Sequence, residues 1–271
     1  MILLKKRNII LVFNWKGFIM KIGNLLGNDD VVVVEKNDAY GVQIIKYRRD
    51  LSVTKETAVQ EYFAAQMDCC KKEAVISLNN SSWILSNGAM HWMGGNIEVK
   101  TDVNSAGDFI QKAFVGKVTG EAAIKPVYQG SGILVLEPTY KHLLIEPISN
   151  WNGGLVMQDS LFLAASGDCR ITAQRIKSVS GAILGGEGLF NPMVTGNGVT
   201  ILESPVPRNE LVEVILENDT LKIDGNYAIC WSSGLNFTVE KTTKTLIGSN
   251  FSGEGLVNVY RGTGKVWIAP K

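Results

Sequence analysis

The sequence predicts an all-β protein with one N-terminal helix, in which three β repeats pack about a pseudo-threefold axis. Three observations support this fold class. The 271 residues include 28 glycines but only 7 prolines, together with many Val and Ile runs, a composition typical of a chain that turns often and pairs strands. Helical spacing of apolar residues occurs in one segment near the N-terminus. One motif occurs three times further along the chain.

The first nineteen residues differ from the rest. A basic stretch precedes the apolar run Ile9 to Phe13, which resembles the start of a signal peptide. The run is shorter than the roughly 7 to 15 residues of a secretory core or the roughly 18 of a membrane span, so we expect neither. Codons for Lys16-Gly17 can form a bacterial ribosome-binding site. We therefore expect residues 1–19 to be a translated leader and Met20 to be the true start.

Residues 20–73 are expected to form a hairpin and a helix. Val31–Glu35 and Val42–Tyr47 are β-rich runs separated by a polar, glycine-containing loop, and they predict an antiparallel pair. Thr54 is the expected N-cap of a helix of about four turns, because the apolar residues that follow recur at helical spacing: Val59, Tyr62, Phe63, Met67 and Cys70. We expect this face to pack on the sheets, with a partner-binding helix as the alternative.

A motif of the form G-E-x(7,8)-G-x-G-x(5,6)-P occurs three times. Its first glycines lie 66 and 67 residues apart, and three of the seven prolines occupy its last position. The sequence therefore predicts one structural domain of three repeats over residues 74–271, approximately 74–138, 139–205 and 206–271. The glycines expected at structural turns are Gly120, Gly130, Gly132, Gly186, Gly196, Gly198, Gly253, Gly262 and Gly264.

The second half of each repeat predicts a β-hairpin. The G-E pair begins a strand such as Leu189–Thr195, and G-x-G is expected to make a tight reversal with its glycines at positive φ. The return strand, such as Val199–Leu202, ends at proline because proline has no N–H to donate to the ladder. Three such units side by side would share a core without leaving long open edges.

The chain resembles the altered-inheritance-of-mitochondria family, twenty-fourth of that series. The resemblance rests on Gly185-Gly186-Glu187-Gly188-Leu189-Phe190-Asn191, ending in Thr195-Gly196-Asn197-Gly198, and on its echo Gly253-Glu254-Gly255-Leu256-Val257. It covers roughly residues 74–270 and extends to 31–73, and Ala122-Ala123-Ile124 makes the first copy the most degenerate. It implies three repeats similar to the tryptophan RNA-binding attenuation protein, a short double-stranded β-helix. The family supplies no catalytic residues, and its fungal member is associated with mitochondrial inner-membrane organisation.

Charge and cysteine usage exclude several function classes. Lys and Arg number 27 against 26 Asp and Glu, so the net charge of +1 gives no field that would gather nucleic acid, anionic lipid or an acidic partner. RNA binding is not favoured, since only residues 46–49 interleave basic and aromatic side chains. We expect four reduced thiols and a cytoplasmic location, because no C-x-x-C pair occurs among Cys69, Cys70, Cys169 and Cys230.

No complete catalytic set is found in the sequence. His91 and His142 lie 51 residues apart, which is not the spacing of a metal site. Gly130-Ser131-Gly132 recurs in the other repeats with Asn or Thr in place of Ser, so Ser131 is not expected to be a nucleophile. Phosphate-binding loops fail because Val266 follows Lys265 where Ser or Thr is required. We therefore expect that the chain is not an enzyme and that it binds no cofactor.

The three equivalent glutamates, Glu121, Glu187 and Glu254, are the candidate ligand residues. A pseudo-threefold arrangement could gather them near one axis as a cation or ligand site. Alternatively, each carboxylate accepts hydrogen bonds from its own loop, and we expect this local capping.

Two functions remain. The leading hypothesis is a non-enzymatic scaffold or interaction protein that binds a protein partner, because a structural motif is triplicated and catalytic residues are not found. The alternative is a small-molecule or metal-ion binder that uses a cleft or axis between the repeats. In that alternative, five tryptophans are possible aromatic walls, although such residues more often belong to a core: Trp83, Trp92, Trp151, Trp231 and Trp267.

Overall fold

The computed structural model describes residues 3–5, 8–15, 18–100, 125–175, 177–178, 190–241 and 256–270. These residues are mostly β-strand with one α-helix, as predicted; α1 is Ala58–Gln66. The strands are β1 Leu3–Lys5, β2 Asn8–Trp15, β3 Phe18–Ile22, β4 Val31–Asn37, β5 Val42–Tyr47, β6 Lys72–Leu85, β7 Met90–Lys100, β8 Val127–Leu136, β9 His142–Pro147, β10 Leu155–Met157, β11 Phe162–Ser166, β12 Cys169–Arg175, β13 Lys177–Ser178, β14 Phe190–Gly196, β15 Val199–Ser204, β16 Val212–Asp224, β17 Ala228–Ser232, β18 Asn236–Lys241 and β19 Leu256–Ile268.

The N-terminal part contains two small β elements. Strands β1 to β3 form an antiparallel sheet of their own, and the leader hypothesis for residues 1–19 stays a prediction. Strands β4 and β5 pair antiparallel from Val31 opposite Tyr47 to Asn37 opposite Val42, which confirms the predicted hairpin. Strand β5 then pairs with β6, so the hairpin extends the main sheet.

The helix differs from the expectation in length and in packing. It covers nine residues, its N-cap position is Thr57 rather than Thr54, and none of its residues is buried. The predicted packing of Val59, Tyr62, Phe63 and Met67 on the sheets is therefore wrong. Only Cys70 of the predicted face is buried, and it follows the helix. Helical spacing places these residues on one face, but it does not fix what that face contacts.

The rest of the chain forms three groups of strands, here called units. Unit 1 is β6 to β8, unit 2 is β9 to β12 with β14 and β15, and unit 3 is β16 to β19. In each unit the part that is last in sequence lies in the centre of antiparallel pairs. In unit 1, β8 pairs with β6 and β7. In unit 2, β14 pairs with β10 and β12, and β15 pairs with β9 and β11. In unit 3, β19 pairs with β16, β17 and β18. Pro138, Pro205 and Pro270 follow the ends of these central strands, as expected.

Apolar clusters join the units in pairs. One cluster contains Ile76 and Trp83 of unit 1 with Ile145 and Ile201 of unit 2. Two further clusters join units 2 and 3, one of them around Met157 and Trp267. The strand order β4-β5-β6-β11-β15-β9 makes a nearly closed barrel, because the two end strands β4 and β9 approach each other.

The G-x-G segments do not reverse the chain, so the predicted hairpin turn is wrong. Strand β8 runs straight through Gly130 and Gly132, and β19 runs straight through Gly262 and Gly264. These two segments lie opposite a β-bulge in the first strand of their unit, between Leu78 and Ser81 in β6 and between Leu216 and Asp219 in β16. In unit 2 the G-x-G lies between β14 and β15, which belong to different sheets. Gly130 and Gly132 leave no room for a Cβ, because backbone oxygens of the neighbouring strand β7 lie against them.

Candidate functional site

The glutamates singled out from the sequence lie outside the described residues. This applies to Glu121, Glu187 and Glu254 and to the glycines that precede them, Gly120, Gly186 and Gly253. The strands on either side are described, and they pair up to Lys100 opposite Val127, Arg175 opposite Phe190 and Lys241 opposite Leu256. Capping and convergence of the three carboxylates both stay predictions.

The first glycine of each G-x-G has positive φ, whereas the second is constrained mainly by space. The φ angles of Gly130, Gly196 and Gly262 are 142°, 110° and 120°. A Cβ on Gly132 would meet the carbonyl oxygen of Gly94, and a Cβ on Gly198 would meet the side chains of Ser166 and Cys169.

The middle residue of G-x-G has a structural role in two units. The N–H of Asn80, at the bulge of β6, donates to Ser131 Oγ over 2.9 Å. The N–H of Asn218, at the bulge of β16, donates to Thr263 Oγ1 over 3.1 Å. A hydroxyl acceptor explains why Ser and Thr exchange at this position.

The histidines and cysteines do not assemble a metal centre in the described part of the chain. His91 Nδ1 lies 3.4 Å from Glu73 Oε1, while His142 Nδ1 lies 3.6 Å from Asp68 Oδ2. Burial lowers the pKa of His142, so it stays neutral near pH 7. All four cysteines are free, and only Cys69 is exposed.

The tryptophans belong mainly to the core. Trp83, Trp151, Trp231 and Trp267 are buried, and Trp92 is half-buried against the cluster under β5 and β6. They are therefore packing residues rather than walls of an open cleft.

One face of α1 exposes large apolar side chains to solvent. This helix face consists of Val59, Tyr62, Phe63 and Met67, whose exposed fractions are 67%, 61%, 63% and 83%. The rings of Tyr62 and Phe63 meet edge to face with centroids 5.5 Å apart. Leu51, just before the helix, is 70% exposed and adds to the same segment. Large apolar patches of this kind on a protein surface mark interaction sites.

Polar contacts, not apolar packing, attach the helix segment to the sheet. Before the helix, Asp50 pairs with Lys71 over 2.6 Å, and hydrogen bonds from Lys71 and Ser52 lower the pKa of Asp50 to about 2. After it, Asp68 pairs with Lys46 over 2.7 Å. Burial acts to raise the pKa of Asp68, but the ion pairs with Lys46 and Lys72 outweigh it and hold this pKa below its usual value. The helix is thus held firmly at both ends while its apolar face stays open.

A cleft with charged residues among its lining lies beside this segment, between the N-terminal hairpin and the start of β6. Its volume is about 480 Å³. Two ion pairs line it, Asp30 with Arg49 and Asp50 with Lys71. At its inner end Tyr47 Oη donates to Glu73 Oε2 over 2.8 Å, and burial together with this bond raises the pKa of Tyr47. The remaining lining is Asn28, Val31, Leu51 and Pro138.

A cluster of charged side chains surrounds Arg208, here called the Arg208 cluster. Arg208 Nη1 donates to Glu146 Oε2 and Nη2 donates to Glu35 Oε1, both over 2.8 Å. The same Nη2 also donates to the carbonyl of Ile145 in β9, whose N–H donates to Glu35. These bonds close the gap between β4 and β9. Burial raises the pKa of Glu35 in spite of Arg208.

Tryptophan donors complete the Arg208 cluster. Trp151 Nε1 donates to Glu146 Oε1 over 2.9 Å, and Trp267 Nε1 donates to Glu213 Oε2 over 2.8 Å. Lys265 Nζ lies 4.3 Å from the ring centroid of Trp151. Every charge here has a partner, so the cluster holds units 2 and 3 to the hairpin. Sequence reasoning missed it because its members come from separate segments with no shared motif.

Comparison with known proteins agrees with this fold. An uncharacterised protein of Streptococcus pyogenes serotype M6 is 24% identical over 196 residues, which is 70% of this chain and 77% of that protein. The crystal structure of protein SPYM3_0169 from Streptococcus pyogenes matches with a TM-score of 0.54 and 24% identity, covering 74% of this chain and 88% of the other. A family described as Mitochondrial biogenesis AIM24 matches residues 71–271. The chain therefore belongs to the AIM24 mitochondrial biogenesis family.

Proposed function

We propose that this chain is a non-enzymatic scaffold or interaction protein that binds a protein partner through the helix face of α1. The single observation that supports this is the exposure of Val59, Tyr62, Phe63 and Met67 on a helix with no buried residue. Leaving four large apolar side chains in water is unfavourable by about 25 cal/mol for each Å². A partner that covers this face recovers that free energy.

The chemistry of the segment favours a protein groove over a membrane or a nucleic acid. Residues at i, i+3, i+4 and i+8 form a short stripe, which is the pattern of a helix that enters an apolar groove. The stripe is flanked by Lys55, Glu56 and Glu61, with a net charge of −1, so anionic headgroups and phosphates are not attracted. Among the described residues, no helix has the length and apolarity to cross a bilayer.

Affinity capture from native lysate tests the proposal. The bait is the wild-type chain, the double variant Tyr62→Ser/Phe63→Ser, or the matched control Tyr140→Ser, which removes an exposed ring outside the helix face. We expect a stoichiometric protein partner with wild type and Tyr140→Ser and its loss with the double variant. Melting temperatures should agree within the error expected for surface substitutions, since neither ring is buried. Retention of the partner by the double variant, or no partner at all, would contradict the proposal.

A second candidate function is binding of a small polar molecule, and the cleft lined by Asp30, Arg49, Asp50 and Lys71 favours it. The cleft differs from the expected place, since it lies beside unit 1 and not between repeats. A thermal-shift panel of small amines, carboxylates and zwitterions compares wild type with Lys71→Ala. A compound that raises the melting temperature of wild type but not of Lys71→Ala supports this function. If no compound raises the melting temperature of wild type, this function is contradicted.

The proposal also includes the fold type of the three units and the location of the protein. We propose that the three units are copies of one ancestral unit of the short double-stranded β-helix type, similar to the tryptophan RNA-binding attenuation protein. Their common strand order supports this. The pseudo-threefold axis and the cytoplasmic location stay predictions, and the pairing of unit 3 with unit 1 that such an axis requires does not occur among the described strands.

A further inference from the structure

Neighbouring units are joined by the same short strand pairing. In unit 1, the last three residues of β6, Trp83–Leu85, pair antiparallel with Ala164–Ser166 of unit 2. In unit 2, the last three residues of β10, Leu155–Met157, pair antiparallel with Cys230–Ser232 of unit 3. In both cases the partner residues are the third to fifth of their strand, β11 or β17. The first strand of one unit thus joins the second strand of the next in a fixed register.

Among the described residues, one first strand and one second strand lack such a partner: β16 of unit 3 and β7 of unit 1. Within the described residues, β16 of unit 3 pairs with β19 alone, and β7 of unit 1 pairs with β8 alone. Strands β2 and β3 do not pair with β7, although Met20 contacts Gly94. The apolar clusters of the described residues join unit 1 to unit 2 and unit 2 to unit 3, but none of them joins unit 1 to unit 3. Both edges carry backbone donors and acceptors that a third strand could satisfy.

We propose that a second copy of this chain makes the missing pairing, with β16 of one copy joined to β7 of the next. The register follows from the two pairings within the chain when the units are aligned on their central strands: Ile223 faces Trp92, Lys222 faces Met93 and Leu221 faces Gly94. No like charges oppose each other in this register. The contact is head to tail, so each copy keeps one free edge of each kind until a ring closes or a filament grows. It uses neither the helix face nor the cleft.

Disulfide trapping between differently labelled copies tests the pairing. Met93→Cys and Lys222→Cys are prepared separately in a Cys69→Ser background, since the other three cysteines are buried. Directly opposed residues of an antiparallel pair have Cβ atoms about 4.5 to 5.5 Å apart, close to disulfide geometry. We expect mixing the two variants under mild oxidation to give a cross-linked dimer, whereas either variant alone does not. Ile223→Cys mixed with Met93→Cys is the register control, and it should cross-link at least tenfold less.

Two further measurements complete the test. Light scattering gives the mass of the wild type, and a variant with both cysteines in one chain shows whether the disulfide forms within a molecule. We expect a mass that rises with concentration toward multiples of 29.6 kDa. Absence of the mixed cross-link would overturn the proposal, and so would a wild-type mass of one chain at all concentrations. If Met93→Cys/Lys222→Cys forms its disulfide within a single chain, the edges close within one molecule and the proposal is wrong.

Discussion

Glu240 and Arg261 form the most regular ion pair among the described residues. Arg261 Nη1 donates to Glu240 Oε1 over 2.6 Å and Nη2 donates to Oε2 over 2.9 Å. Thr238 Oγ1 adds a hydrogen bond to Oε1 over 2.7 Å. The hydrogen bonds from Arg261 and Thr238 lower the pKa of Glu240 from 4.5 to about 2. Two parallel bonds to a planar guanidinium fix this side chain more firmly than a single lysine contact would.

This pair predicts a loss of stability in acid. Because the pKa of Glu240 is lower in the folded chain, its contribution is complete above pH 4.5 and falls as the pH drops toward 2. Glu240→Gln should reduce the free energy of unfolding by about 1 kcal/mol at pH 7, a value that allows for solvent screening. The same variant should lose less stability than wild type between pH 5 and about 2.

Urea denaturation at a series of pH values measures both effects. The control is Glu217→Gln, an exposed carboxylate of β16 with no ion pair in the described part of the chain. The free energy of unfolding is plotted against pH for wild type and for Glu240→Gln. If the two curves run parallel across the acid range, the ion pair contributes nothing to stability.

At the scale of elements, the central strands β14 and β19 depend on glycine for two separable reasons. Gly196 and Gly262 both have positive φ, but their surroundings differ. A Cβ on Gly196 would collide with the carbonyl oxygen of Asp168, whereas a Cβ on Gly262 would lie 3.8 Å from Leu235. Gly262→Ala should therefore cost only the conformational strain of about 1 to 2 kcal/mol, and Gly196→Ala should cost clearly more. Guanidinium denaturation of the two variants would give equal losses if the collision were irrelevant.

The sequence could predict element type better than element surroundings. Alternation and turn residues located the hairpin of β4 and β5, and helical spacing located α1. Neither pattern states which neighbour a face meets, so the exposure of Phe63 was missed. A G-x-G in an alternating run fits both a reversal and a strand opposite a bulge, because both need positive φ. Only the partner strand, with its extra residue near Asn80, distinguishes the two.

At the scale of the whole molecule, Arg208 joins the hairpin, unit 2 and the linker to unit 3. Arg208→Ala would leave Glu146, which is 2% exposed, without its guanidinium partner. We expect a loss of about 3 kcal/mol in the free energy of unfolding, the lower end for a broken buried ion pair, because Glu146 keeps the Trp151 N–H and lies 3.9 Å from Lys265 Nζ. Adding Glu146→Gln to Arg208→Ala should restore part of that loss.

Chemical denaturation of the two single variants and the double variant measures this coupling. Arg170→Ala is the control, because its side chain is exposed and makes no ion pair within the described residues. Strictly additive losses would mean that Arg208 and Glu146 act independently.

The global arrangement was only partly predictable. Repetition of G-E and G-x-G indicated three similar units, and the family resemblance came from the same residues. The Arg208 cluster could not be predicted, because single charged residues in four distant segments give no periodic signal. The contacts between units could not be predicted either. Each one consists of three residue pairs between strands, and the residues in them are common in any β-strand.

The bulges also determine whether β6 and β16 can lose a single residue. In β6, Ile76, Leu78, Trp83 and Leu85 all enter one apolar cluster, although Leu78 and Trp83 are separated by an odd number of positions. In β16, Leu216 and Leu221 show the same spacing in another cluster. The extra residue of the bulge switches the alternation midway along each strand. Loss of the single codon for Asn80 or Asn218 would turn half a strand inside out, whereas replacing either asparagine leaves the phase intact.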